Sequence, residues 1–228
     1  MSRIGRITGI PRYLATHGVS GFARELRFRL TNRVLDAVLN VQTHGVVVTP
    51  QEIGQTRADY LGYQTVGYST ITSALRAVPL APESISLLEI GCGMGRPMIA
   101  AARLGCRSVR GIEIAPVLTE IARRNVAQLR TRNRPELLEV VTGDATAYGI
   151  PDDVNVVVMV NPLAGEALAA VASNIRASYA LKQRPMFLVY VNAYWFDRFL
   201  MAAPDGFIKR QRGTYYPGNF LWAIYEVN

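Results

Sequence analysis

Apolar residues follow two different repeats along the chain. After Ser20, a candidate helix N-cap, apolar positions recur every four residues, at Phe22, Leu26, Leu30, Val34 and Val38, and Leu35 and Leu39 widen this stripe. That spacing predicts an amphipathic helix. From residue 85 onward, short apolar runs alternate with glycine or proline and with helical segments, which is typical of a parallel sheet covered on both faces. We therefore divide the chain into an N-terminal helical cap or lid, residues 1–79, and an α/β domain, residues 80–228.

The alternation also places the individual elements of the α/β domain. A short helix is expected over residues 69–78, ended by Pro79 and Pro82. The predicted parallel strands are 86–90, 108–114, 138–142, 154–160 and 186–191, and the predicted helices lie near 95–104, 116–130 and 164–180. Strands at 206–209 and 221–227, joined by a turn at Pro217-Gly218, would form an antiparallel end. The predicted fold is a Rossmann-like, mostly parallel sheet with an antiparallel C-terminal strand and helices on both faces.

Positive charge is concentrated near the N-terminus. The formal net charge is +8, and residues 1–36 hold seven arginines against only Glu25 and Asp36. We expect the apolar stripe of the first helix to pack on the α/β domain, with the charged face in solvent. The alternative is a basic helix that makes peripheral contact with an anionic surface or closes over the substrate. Charge alone does not choose between a solubilising surface and an acidic partner.

Cysteine use and hydropathy indicate the compartment. Cys92 lies inside a glycine-rich turn, where a disulfide would obstruct the close backbone approach that such turns permit, so we interpret Cys92 and Cys106 as reduced. No signal-peptide pattern is present, and no stretch approaches the ~20 apolar residues that a transmembrane helix needs. We predict a cytoplasmic protein without a transmembrane segment.

The glycine-rich turn carries the strongest functional signal. The apolar run 87–90 leads into Gly91-Cys92-Gly93-Met94-Gly95, and Pro97 then suits a first helical turn. A dinucleotide loop of the form G-x-G-x-x-G would place its last glycine at position 96, which is Arg96. Glu89 precedes the loop, and its carboxylate would repel a diphosphate but suit the ammonium of a methionine moiety. The loop therefore favours a sulfonium amino acid cofactor over NAD.

The residues Glu89 to Gly95 resemble the first motif of class I S-adenosylmethionine-dependent methyltransferases, [DE]-x-G-x-G-x-G. The resemblance spans roughly residues 60–228 and implies an enzyme of class EC 2.1.1.- that binds S-adenosylmethionine and releases S-adenosylhomocysteine. It implies that the first strand and its loop contact the cofactor through Glu89, Gly91, Cys92, Gly93 and Gly95.

Later motifs follow in the order that this family shows. Glu113 ends the second strand and is expected to bind the ribose hydroxyls, with Ile114 beside it. Asp144 follows the third strand and is expected to receive the adenine amino group, while the backbone N–H of Ala145 meets a ring nitrogen. The alternative for Asp144 is that it only shapes a turn.

The fourth predicted strand ends in Asn161-Pro162-Leu163, which resembles part of the N-P-P-[YF] box of amino methyltransferases. The second proline and the aromatic residue are missing, which puts adenine-N6 and glutamine methylation in doubt. Asn161 either contacts the cofactor and orients an acceptor group or caps the helix that begins near Gly165. Both interpretations stay open from the sequence.

The acceptor is the least constrained part of the prediction. His44 is the candidate general base, with an ordinary loop histidine as the alternative. Tyr60, Tyr63 and Tyr68 are candidates for the methionine end of the cofactor or for the acceptor pocket, with Tyr68 first among them. We expect a hydroxyl or amine of a small molecule or saccharide, with protein-lysine methylation as the alternative. Aromatic residues are too few in the basic segment to favour nucleic acid.

No cluster has metal-ligand spacing, so we predict no metal. The segment 44–69 resembles a poorly characterised bacterial group of these enzymes.

Overall fold

The protein is built around one seven-stranded sheet. The computed structural model describes residues 10–44, 59–60, 66–132, 135–192, 205–215 and 220–228. The strands are β1 Ser86–Ile90, β2 Ser108–Glu113, β3 Leu137–Thr142, β4 Val156–Val160, β5 Phe187–Val191, β6 Phe207–Tyr215 and β7 Phe220–Val227. They are arranged in the order β3-β2-β1-β4-β5-β7-β6.

Parallel pairing unites the first five strands, and β7 runs antiparallel to both of its neighbours, β5 and β6. The strand order reverses between β1 and β4, which are neighbours in the sheet and pair directly with each other. In open α/β sheets the crevice at the carboxyl ends of such strands is where ligands bind. The predicted fold class is confirmed, while the turn predicted at Pro217-Gly218 lies outside the described residues.

Helices cover both faces of the sheet, as the alternating pattern predicts. They are α1 Ile10–Leu39, α2 Tyr68–Arg76, α3 Arg96–Leu104, α4 Pro116–Gln128 and α5 Gly165–Leu181. Helices α2, α3 and α4 contribute to one apolar cluster with β1 and β5, and α5 contributes to a second cluster on the other face. The division of the chain at residue 79 stays a prediction, although α2 buries Ile71, Ala74 and Leu75 in the same cluster as the sheet.

Helix α1 packs on the domain with a different side from the one predicted. Gly18 breaks the helix with φ 68° and ψ 174°, two residues before the predicted start at Ser20. Leu26, Leu30, Val34 and Val38 are exposed, whereas Asn32 and Asp36 are buried against the domain. The prediction that this apolar stripe packs on the domain is wrong for these four residues, whereas Leu35 and Leu39, which widen the stripe, do pack against the core.

Hydrogen bonds explain the inverted packing of α1. Asn32 Oδ1 accepts the backbone N–H of Tyr68 at 3.0 Å, and Asp36 Oδ1 accepts the Tyr68 hydroxyl at 2.7 Å. Asn32 and Asp36 are four residues apart and so lie on one side of a helix. Because both bond to the first residue of α2, that side faces the domain, and Leu26, Leu30, Val34 and Val38 are turned outward.

Two further findings concern the cysteines and the helices. Both cysteine thiols, Cys92 and Cys106, are free and buried. Among the described residues, no helix combines the length and apolarity that a membrane span requires.

Candidate active site

The glycine-rich loop leaves β1 as a sharp turn that depends on positive backbone angles. Gly91, Gly93 and Gly95 have φ values of 70°, 53° and 83°, a region in which side chains other than glycine are strained. A Cβ atom at Gly91 would also lie 2.6 Å from Cβ of Pro162, which follows β4. Glycine at position 91 therefore allows the loop and the end of β4 to approach closely.

Glu89 lies on β1 beneath this loop and is 1% exposed. The backbone N–H of Met98 bonds to its carboxyl group, but Oε2 has no hydrogen-bond partner within the described part of the chain. Burial raises the pKa of Glu89 well above its ordinary value, and the negative charge of Glu113 adds to this rise. A buried carboxyl oxygen without a partner costs stability unless a donor or cation meets it. The ammonium group of S-adenosylmethionine fits this requirement.

Glu113 ends β2 and holds the loop from the other side. Its Oε2 accepts the backbone N–H of Gly93 at 2.9 Å, and its Oε1 accepts the N–H of Ala115 at 2.9 Å. Burial raises the pKa of Glu113, while these backbone donors and that of Ile114 lower it. A carboxylate oxygen has two lone pairs, so each oxygen can still accept a ribose hydroxyl. The structure therefore places the predicted ribose ligand directly under the glycine loop.

Asp144 follows β3 and accepts three hydrogen bonds through Oδ1. The donors are the hydroxyl of Tyr60 at 2.6 Å, the backbone N–H of Thr146 at 2.8 Å and the hydroxyl of Thr146 at 2.7 Å. Asp144 is thus the N-cap of a short 3-10 turn, Ala145–Ala147. The turn-shaping role is present, and the contact of Asp144 and Ala145 with adenine stays a prediction.

Asn161 follows β4 in a left-handed conformation, with φ 49°. The hydroxyl of Tyr190 lies 3.5 Å from its Oδ1. The interpretation of Asn161 as a helix cap is wrong, because Ala164 is the N-cap residue of α5 and the side chain of Asp59 accepts the N–H of Ala167 at 3.0 Å. Asn161 is therefore left at the carboxyl end of β4, the position from which an acceptor could be oriented.

His44 pairs with the carboxylate of Asp36. His44 Nδ1 lies 2.6 Å from Asp36 Oδ2, and the histidine side chain is 40% exposed while that of Asp36 is 1% exposed. The hydroxyls of Tyr68 and Thr43 and the backbone N–H of Thr43 also donate to this carboxylate. Burial alone would raise the pKa of Asp36, but hydrogen bonds from Tyr68, His44 and Thr43, together with the charge of Arg96, hold it below the ordinary value. Asp36 is accordingly an ionised acceptor that orients His44.

Two side chains connect this histidine–aspartate pair to the glycine loop. Arg96, the residue after Gly95, donates from Nε to the Thr43 hydroxyl at 2.7 Å and from NH2 to the Thr43 carbonyl at 3.0 Å. Asn125 on α4 accepts the N–H of Gln42 and donates to the carbonyl of Met94. Residues 42–44 are therefore fixed beside the loop.

The two described tyrosine candidates lie in different places. Tyr68 is buried in the Asp36 network, burial raises its pKa above the ordinary value, and the guanidinium carbon of Arg96 lies 5.2 Å from its ring centre. Tyr60 instead reaches Asp144, and its neighbour Asp59 caps α5. The contact of Tyr68 with the methionine end of the cofactor stays a prediction, and Tyr63 lies outside the described residues.

Several residues of this site were missed by sequence reasoning. They are Asp36, Thr43, Asp59, Arg96 and Asn125. Asp36 appeared as one of the charges of the first helix, because nothing local marks a helix face that buries an aspartate, and Arg96 appeared only as the residue in place of a glycine. The position of Arg96 directly after the third glycine was the one local signal that a buried cation lies at the loop.

Comparisons with known proteins agree with this geometry. A family model described as a methyltransferase domain matches residues 87–179. The ribosomal protein L11 methyltransferase of an Exiguobacterium species is 40% identical over 62 residues, which is 27% of this chain. That match covers 19% of the relative's length.

Solved structures extend the likeness to most of the chain. The magnesium protoporphyrin IX methyltransferase of Synechocystis, with bound S-adenosylmethionine, has a TM-score of 0.51 and 20% identity, covering 70% of this chain and 77% of that one. A glycopeptide N-methyltransferase complexed with S-adenosylhomocysteine has a TM-score of 0.57 and 15% identity, covering 81% and 100%. The strand order and these matches define a Rossmann-like α/β fold of the methyltransferase type. Residues 87–179 thus match a methyltransferase domain, the fold is similar to that of S-adenosylmethionine-dependent methyltransferases, and both findings agree with the predicted cofactor.

Proposed function

We propose that the protein transfers a methyl group from S-adenosylmethionine to a hydroxyl or amine of a small molecule or saccharide in the cytoplasm. The observation that carries the proposal is the pairing of His44 with buried Asp36 at 2.6 Å, on a segment that Arg96 and Asn125 fix beside the glycine loop. A base held next to a methyl-donor site suits an acceptor that must lose a proton.

The acids at three adjacent strand ends supply contacts for each part of the cofactor. Glu89 would meet the ammonium group, Glu113 the ribose hydroxyls and Asp144 the adenine amino group. Adjacency follows from the sheet order β3-β2-β1 and from the bond between the N–H of Gly143 and the carbonyl of Glu113 at 3.0 Å. The cofactor supplies an electrophilic methyl group on a sulfonium, which is a good leaving group.

His44 is the residue that we assign to proton removal. Asp36 accepts the hydrogen of Nδ1, so in the neutral ring Nε2 carries the lone pair. Nε2 would take the proton of the acceptor hydroxyl, while the sulfonium of the bound cofactor would supply the methyl group that the oxygen receives. Asn161, at the end of β4 next to the glycine loop, would orient the acceptor.

The acceptor class is inferred from the hydrogen bonds that the tyrosine hydroxyls make. A protein-lysine methyltransferase would need a narrow aromatic channel, yet the hydroxyls of Tyr60 and Tyr68 are engaged by Asp144 and Asp36. Buried tyrosines bonded to carboxylates fix the positions of these loops. The names of the similar proteins include a porphyrin, a glycopeptide and a ribosomal protein. Similarity to them therefore does not select one class of acceptor.

The test is methyl transfer from radiolabelled S-adenosylmethionine into cell extract separated into small-molecule, protein and nucleic-acid pools. Label is expected in the small-molecule pool. His44→Asn is expected to lower the transfer rate about 100-fold or more at neutral pH, because general-base catalysis contributes factors of this order. Binding of S-adenosylmethionine, measured by calorimetry, is expected to change less than threefold.

The matched control is His17→Asn, since His17 is the only other histidine in the chain. Its transfer rate is expected to equal that of the unmodified protein. Label in the protein pool would show that the acceptor is a protein and not a small molecule or saccharide. An unchanged rate for His44→Asn would remove His44 from the reaction while leaving cofactor binding untouched.

A further inference from the structure

The outer face of α1 is apolar where solvent should favour polar side chains. Leu26, Leu30, Val34 and Val38 are 46%, 52%, 60% and 64% exposed. They recur every four residues and form one continuous stripe. A contiguous exposed apolar surface rimmed by charge is typical of an interaction site.

Arginines flank this stripe and acids are absent from it. At 100° per residue, Arg33 projects beside Leu26 and Arg27 projects between Val34 and Val38, and both arginines are exposed. The helix contains only two acids. Asp36 is buried, and Glu25 is paired with Arg29 at 2.6 Å. The outward face therefore combines aliphatic side chains with uncompensated positive charge.

We propose that this face of α1 binds the surface of an anionic phospholipid bilayer. Leucine and valine side chains would enter the boundary between headgroups and acyl chains, and the arginines would pair with lipid phosphates. The arrangement fits a helix lying in the plane of the interface, with Asn32 and Asp36 still bonded to the protein on the opposite side. Binding through one stripe of four aliphatic residues would be reversible.

Charge argues against the two other occupants of such a face. A second copy of the chain in a two-fold dimer would bring the same arginines against each other. RNA would satisfy the arginines but would leave the aliphatic side chains without a base-stacking role. A bilayer with acidic headgroups satisfies both components at once.

The experiment is cosedimentation of the full chain with vesicles of phosphatidylcholine alone and of phosphatidylcholine with 30% phosphatidylglycerol. We expect binding to the anionic vesicles, weakening as salt is raised, and little binding to the neutral ones. Leu30→Gln with Val34→Gln is expected to weaken binding about tenfold or more. Arg27→Gln with Arg33→Gln is expected to weaken it roughly 30-fold, from about a fivefold loss per arginine.

Matched controls come from other exposed positions. Leu181→Gln, at the end of α5 and 88% exposed, and Arg124→Gln, on the exposed side of α4, are expected to bind like the unmodified chain. Circular dichroism and thermal unfolding of the variants are expected to be unchanged, because the substituted side chains face solvent.

Three results would overturn the proposal. The first is absence of binding to anionic vesicles at millimolar lipid. The second is binding that Leu30→Gln with Val34→Gln leaves unaltered. The third is a dimer in sedimentation equilibrium, or an RNA complex in a gel shift, that this double variant abolishes while vesicle binding is not detected.

Discussion

Two carboxyl groups near the glycine loop, those of Asp36 and Glu89, are both 1% exposed. The carboxylate of Asp36 bonds to Tyr68, Thr43 and His44, with the Arg96 guanidinium 3.6 Å away. Glu89 has an oxygen without a partner among the described residues. The pKa of Asp36 is lowered and that of Glu89 is raised.

The difference separates a group that completes the folded protein from one that is prepared for a ligand. Donors from α2 and from the segment before it compensate the burial of Asp36, so its ionised form is stable without any cofactor. Among the described residues, burial of Glu89 is compensated only in part, by the backbone N–H of Met98, so its ionised form needs a cation from outside. Equal burial therefore has opposite consequences for stability and for binding.

The largest expected effect concerns Asp36. Asp36→Ala should lower the free energy of unfolding by about 3–5 kcal/mol, because it leaves the buried guanidinium of Arg96 and the hydroxyls of Tyr68 and Thr43 without their acceptor. Urea unfolding followed by circular dichroism measures this loss. Glu25→Ala on the same helix removes only a partly exposed pair with Arg29 and should cost about 0.5 kcal/mol. Similar losses for both variants would contradict the role given to Asp36.

The pH dependence of that loss has a definite sign. The folded pKa of Asp36 lies below its ordinary value of 3.8. Its contribution to stability is therefore present above the unfolded pKa and is lost as pH falls through the folded pKa. The stability gap between the unmodified protein and Asp36→Ala should narrow below about pH 4. A gap that is constant down to pH 2 would show that the ionised carboxylate is not what stabilises this network.

The next effect concerns Glu89. Glu89→Gln should weaken S-adenosylmethionine binding by about 10- to 100-fold, the loss of one charge-assisted hydrogen bond to the ammonium group. Unlike Asp36→Ala, it should leave the ligand-free protein at least as stable at pH 8. Because the folded pKa of Glu89 is raised, its contribution to stability is present below the ordinary value of 4.5 and is lost as pH rises through the folded pKa.

Glu83→Gln is the matched control, since Glu83 is exposed and precedes the same strand. Its affinity and its unfolding curve should be those of the unmodified chain. Destabilisation of Glu89→Gln comparable to that of Asp36→Ala would mean that both carboxylates are structural.

The smallest expected effect is a change in the number of protons that are released when the cofactor binds. If ligand-free Glu89 holds a proton that the ammonium of the cofactor displaces, binding should release up to about one proton at neutral pH. Calorimetry in phosphate and in Tris, which have different ionisation enthalpies, measures the number released. Glu89→Gln should release fewer protons than the unmodified protein, and equal numbers would contradict the link to this group.

The sheet and its loops could be predicted because their signals are local. A buried strand is a continuous apolar run, and Gly91, Gly93 and Gly95 mark a turn that requires positive φ angles. Glu89 and Glu113 were identified by their positions relative to those elements. Asp36 and Arg96 could not be identified, because partners that bury them are distant in sequence: Tyr68 bonds to Asp36 across 32 positions, and Arg96 bonds to Thr43 across 53.

The sequence alone determined the order of strands and helices, the glycine loop and the acids at the strand ends, since these depend on short-range patterns of burial and backbone freedom. The tertiary structure decided which way α1 faces. Periodicity shows that a helix has an apolar side but does not show which side packs. Here Asn32 and Asp36 accept hydrogen bonds from Tyr68 and face the domain, while Leu26, Leu30 and Val34 face solvent. That orientation fixes His44 beside the loop and leaves an apolar, basic surface in solvent.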